Sequence, residues 1–81
     1  MGPLLKELEK KIMDNYYLNL NVQSNGDYEV HKGTCSFVPI TNYEYLGLFY
    51  NCDGAVSEAK RRHPFKKING CYYCSKPCHT T

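Results

Sequence analysis

Five cysteines and three histidines in 81 residues carry the chemistry this chain can do. Two pairs stand at metal-ligand spacing, His31-x3-Cys35 and Cys71-x2-Cys74. A tight turn between two such donors places both on one side of the backbone, and zinc accepts thiolate and imidazole at about 2.0 to 2.3 Å. Two pairs sharing one Zn2+ give a closed tetrahedral site with ligands His31, Cys35, Cys71 and Cys74. Cys78 and His79 follow closely behind Cys74, so there are more donors than places. Cys78 in place of His31 is the alternative set, and Pro77 restricts the turn that would bring it in. Cys52 falls on the apolar stripe of a helix and reads as a small buried residue.

Hydrolytic zinc chemistry is disfavoured, because a site filled by four protein atoms offers water no open position. No catalytic constellation is legible: there is no paired carboxylate with polar support, no phosphate-cradling glycine loop and no second nucleophile with an orienting base. No small-molecule substrate is evident.

The elements that position these donors follow from patterning. Pro3 to Met13 reads as an amphipathic helix, with Leu4, Leu5, Leu8 and Ile12 at helical spacing; Met13 is itself a plausible start, so residues 1–13 are separable from the small zinc-binding domain expected over 14–81. Tyr16 to Val22 and Tyr28 to His31 read as strands joined by Ser24-Asn25-Gly26-Asp27. Glu44 to Tyr50 is a third strand, with Gly47 marking a bulge. Asn51 caps a helix carrying Cys52, Ala55, Val56, Ala59 and His63 on one face, and Pro64 ends it. Lys66 to Thr81 is too short and too rich in Gly, Cys and Pro for a regular element and reads as a metal-closed knuckle. The expected fold is α+β: a small antiparallel sheet of about three strands, one packed helix, an extra amino-terminal helix and a C-terminal zinc knuckle.

Composition bounds the rest. A chain this short buries only about 60% of its unfolded surface, so its apolar core needs a staple. The odd cysteine count and the absence of a leader-like segment favour metal over a disulfide framework and imply a cytoplasmic location. No apolar run is long enough for a membrane span. Lys60, Arg61, Arg62, Lys66 and Lys67 gather five of the ten basic residues, leaving five positive against eight negative elsewhere. Such a patch can attract phosphates, with Phe65, Tyr72 and Tyr73 available to stack on bases, or it can simply complement the helix dipole.

The run Glu29-Val30-His31-Lys32-Gly33-Thr34-Cys35, a strand ending in Phe49-Tyr50-Asn51, a helix with Asp53, Ala55 and Ala59, and Gly70-Cys71-Tyr72-Tyr73-Cys74 together resemble the amino-terminal metal-binding domain of Ada DNA-repair proteins over residues 28–75. The resemblance implies a mixed sheet-and-helix zinc domain in which a Cys-x3-Cys pair and a Cys-x2-Cys pair hold one ion. It also implies methyl transfer from methylated phosphate to the first cysteine of the Cys-x3-Cys pair. Here that position is His31, and imidazole cannot take the role, so the methyl-acceptor activity is not expected while the zinc site is; DNA contact is left open. The functional expectation is a non-enzymatic zinc-stabilised binding module whose partner is nucleic acid or protein. The alternative is a reactive-thiol protein, redox or alkyl-transfer, using a zinc-associated cysteine.

Overall fold

The computed structural model describes residues 12–80. Four strands and one helix follow one another as β1 (Asp14–Asn19), β2 (Asp27–Lys32), β3 (Tyr43–Phe49), α1 (Cys52–Arg62) and β4 (Lys67–Gly70), and a short 3-10 turn closes the chain at Lys76–Cys78. The strand order is β3-β1-β2-β4. Both β2 and β3 run antiparallel to β1, and β4 runs parallel to β2. The α+β class and the single packed helix agree with the sequence; the sheet is mixed and has one strand more than expected. The helix expected over Pro3 to Met13 lies outside the described residues except at its last two positions.

Local chemistry sets the boundaries. β1 stops at Asn19 rather than running to Val22, because the Asn19 carboxamide oxygen accepts from the Asn21 N–H at 2.8 Å and turns the chain. The following turn is closed by Gly26 N–H donating to the Gln23 carbonyl at 2.9 Å, with Gly26 at φ +91°. In β3 the register slips between Tyr16 and Tyr17, so Leu46 is the extra residue beside Gly47, whose φ of +122° is the conformation the bulge needs. The α1 cap is the one the sequence suggests: Asn51 Oδ1 accepts from Asp53 N–H at 3.0 Å.

Lys67–Gly70 corrects the reading of the tail as irregular. Four residues with an Asn and a terminal Gly carry little strand signal of their own. They pair because β2 offers an open edge, with Asp27 opposite Lys67 and Val30 opposite Gly70. Asp27 is buried and accepts from Asn69 Nδ2 at 3.2 Å, which fixes the pairing from the side chains as well.

The two faces of the sheet are covered differently. Tyr16, Leu18, Val30 and Leu46 point to one face and meet Cys52, Ala55 and Ala59 of α1, all buried. Strand alternation sends Tyr17, Glu29, His31, Tyr43 and Tyr45 to the other. Among the described residues no helix covers that side. It is closed by the two loops that carry the cysteines.

Candidate metal centre

His31 lies near the end of β2 on the helix-free face, and a turn follows at once, with Cys35 N–H donating to the Lys32 carbonyl at 3.1 Å. That turn doubles the chain back so that Cys35 faces the strand it has just left. The second pair arrives along β4. Cys71 N–H continues the sheet by donating to the Val30 carbonyl at 3.0 Å, and Ser75 N–H closes the knuckle on the Cys71 carbonyl at 2.9 Å. The ligand atoms of His31, Cys35, Cys71 and Cys74 lie within 4.8 Å of one another, so this group could hold a metal ion.

The spacing suits a four-coordinate ion. Metal–sulfur bonds of about 2.3 Å at tetrahedral angles put two sulfurs about 3.8 Å apart; Cys35 Sγ and Cys71 Sγ are 3.9 Å apart. His31 Nδ1 is 4.0 Å from Cys74 Sγ. His31 and Cys71 are 1% and 2% exposed, so a bound ion would be shielded from water on their side.

Backbone amides are aimed at the sulfurs, as a site that holds thiolates requires. Lys32 N–H points to Cys74 Sγ at 3.3 Å and Phe37 N–H to Cys35 Sγ at 3.4 Å. Without an ion, burial pushes the Cys71 and Cys74 thiols up and holds the His31 imidazole below its ordinary value. The buried cluster therefore favours neutral side chains until a cation arrives to replace the thiol protons.

The remaining donors are occupied elsewhere. Cys78 forms a disulfide with Cys52, with Cα atoms 6.3 Å apart, inside the range such bridges need. This corrects two readings at once: Cys78 is not a competing ligand, and Cys52, though buried in the core as expected, is also half of a cross-link. The five cysteines divide into three plus two, which is why an odd count coexists with a bridge. The apolar stripe of α1 accounts for Cys52 so fully that no local pattern points to a partner for it. His79 is a clamp, its Nδ1 donating to the Gly70 carbonyl at 2.9 Å. Gly70 itself is required: a Cβ there would lie 2.6 Å from Cys78 Cβ and 2.8 Å from the Ser75 carbonyl oxygen.

The basic patch is largely engaged with carboxylates. Arg61 and Arg62 both bind Glu58, each at 2.7 Å, and Arg62 reaches Glu44, also at 2.7 Å. These guanidinium bonds hold Glu58 down at about 2 and lower Glu44. Lys67 faces Asp27 at 3.8 Å, and Lys66 sits over the Tyr28 ring at 4.4 Å. Lys60 has no ion-pair partner among the described residues. Beside the cysteine–histidine cluster, by contrast, Phe37 and Tyr73 stack at 4.6 Å and Tyr72 packs edge-on against Tyr73. All three line a cavity of about 340 Å3 with Asn19, Gln23, Glu29, His31 and Cys71.

No family model, curated protein or solved structure matches the chain. The likeness to Ada domains therefore rests on the short motifs alone. No helix among the described residues is long and apolar enough to cross a membrane.

Proposed function

We propose that this chain is a non-enzymatic, zinc-stabilised binding module. The observation that carries the reading is the convergence of three thiols and one imidazole, from two separate loops, on a point between β2 and the carboxyl-terminal knuckle. A donor set of three sulfurs and one nitrogen at tetrahedral spacing suits Zn2+ better than the hard cations, which take oxygen. Four protein ligands fill the coordination sphere, so the ion's role is to fold the helix-free face.

A protein partner fits the surface better than nucleic acid. Arg61 and Arg62 are tied to Glu58 and Glu44, which reduces the positive charge free for phosphates to that of the patch's lysines. Phe37, Tyr72 and Tyr73 are exposed in one cluster next to the ion, the kind of rigid aromatic surface that partners bury. The reactive-thiol alternative loses its spare residue, since Cys78 is bonded to Cys52.

Elemental analysis of the purified chain tests the reading, with one zinc per chain expected. Cys78→Ala should retain the ion and His31→Ala should lose or weaken it; the reverse would show that the ligand set is wrong. DNA or RNA binding that falls steeply between low and physiological salt, and is impaired by Arg61→Glu with Arg62→Glu, would replace the protein partner by nucleic acid.

A further inference from the structure

His31 presents its two ring nitrogens to different surroundings. Nδ1 faces the cysteine cluster, 4.0 Å from Cys74 Sγ. Nε2 is the one buried side-chain nitrogen or oxygen without a hydrogen-bond partner among the described residues. A buried donor left unpaired forfeits its hydration with nothing in return. The Glu29 carboxylate stands beside it, with Oε1 3.5 Å from Nε2, just beyond a good hydrogen bond. Glu29 and His31 are two residues apart on β2, so the strand delivers both side chains to the same face. The Glu29 carboxylate is partly exposed and borders the cavity beside the cluster, which gives it room to rotate.

We propose that Glu29 is the positioning residue of the metal centre: it accepts a hydrogen bond from the Nε2–H of His31 and so holds the imidazole in the tautomer whose Nδ1 lone pair points at the ion. This rests on the metal reading above and assigns a role to a residue that the ligand set alone does not include. A neutral imidazole that gives Nδ1 to a metal must carry its proton on Nε2, and that proton points at Glu29. A carboxylate there fixes the ring's orientation and strengthens Nδ1 as a donor. Closing the gap also removes the unpaired buried nitrogen. The orphan atom and the metal site are then one feature: Nε2 acquires its partner when Nδ1 acquires the ion.

The test uses the full-length chain, its Glu29→Gln and Glu29→Ala variants, and zinc affinity measured by competition with a chelator. Glu29→Ala should weaken zinc binding about 10- to 100-fold, the usual cost of losing an outer-shell partner. Glu29→Gln, whose carbonyl oxygen can still accept, should restore part of that loss. A general packing defect would not be repaired by the amide in this graded way. Nitrogen-15 spectra of zinc-loaded wild-type protein supply an independent reading, since the His31 Nε2 proton should be resolved and slow to exchange, and in Glu29→Ala it should exchange rapidly. Zinc affinity within about twofold of wild type in both variants, or a metal bound through Nε2, would overturn the role of Glu29 while leaving the metal centre standing. A wild-type chain that takes up no zinc would sink both.

Discussion

The two faces of the sheet are closed by different kinds of side chain. On one, Tyr16, Leu18 and Val30 are wholly buried against Ala55 and Ala59 of α1, and hydrophobic burial holds the layers together. On the other, loops replace the helix and the closing contacts are His31, Cys35, Cys71 and Cys74. The first is gradual: it loses stability by increments when trimmed. With an ion bound as proposed, the second is close to all-or-none, because a tetrahedral site that loses a ligand loses most of its affinity. A chain too small to cover both faces with apolar side chains can cover one and clamp the other.

The contrast can be broken most directly at the clamp. Cys71→Ser should abolish stoichiometric zinc and unfold the domain, since structural zinc contributes about 10 to 16 kcal/mol, as much as an entire small domain has to lose. Circular dichroism and two-dimensional NMR check this, and a chelator should reproduce it in the wild type. A variant that stays folded without metal would mean the helix side suffices alone.

Leu18→Ala probes the other face. It should cost about 2 to 5 kcal/mol in denaturant unfolding while leaving one zinc per chain, because the cavity it opens faces α1 rather than the ion. Loss of zinc in this variant would show that the two faces are not separable.

The disulfide sharpens the comparison. Replacing Cys52 and Cys78 together by Ala frees a segment of 26 residues and should cost about 2 to 4 kcal/mol, again without loss of zinc. Unchanged stability would mean the tail is held by the knuckle and β4 alone.

The smallest effect lies on the surface of α1. Glu58 is held at about 2 by Arg61 and Arg62. A depressed carboxylate contributes stability that is present above its unfolded value of 4.5 and is lost as pH falls toward about 2. Glu58→Gln should flatten that part of the pH profile of thermal unfolding: its destabilisation, small for so exposed a pair, should be greatest at neutral pH and vanish as pH falls toward about 2, and about 1 M salt should shrink it further. A large change at pH 7 would give the ion-pair network a weight that exposed pairs rarely have.

Much of the helix side was legible from the chain. Cys52, Ala55 and Ala59 repeat at helical spacing, Asn51 and Pro64 mark the ends, and the structure places all of them where patterning put them. The four candidate ligands were also legible, because short loops fix donor spacing locally. What escaped depends on long-range pairing. β4 is a strand only because the edge of β2 receives it, and the Cys52 to Cys78 bridge joins a helix start to a tail whose path no local pattern encodes. Ion pairing between elements is out of reach for the same reason: counting charges along Lys60 to Lys67 omits Glu44, which reaches Arg62 from β3.

The division of sulfurs into three and two bears on how the molecule matures. Newly made chains carry five interchangeable thiols, and air oxidation could join the wrong ones, since Cys71, Cys74 and Cys78 sit close together on one tail. An ion seated early would mask three of them and leave Cys52 and Cys78 as the sole couple free to oxidise, so the metal would act as a protecting group as well as a brace. Peptide mapping after oxidative refolding with and without zinc should then move from scrambled bridges to a single one; equal scrambling in both would refute that order of events.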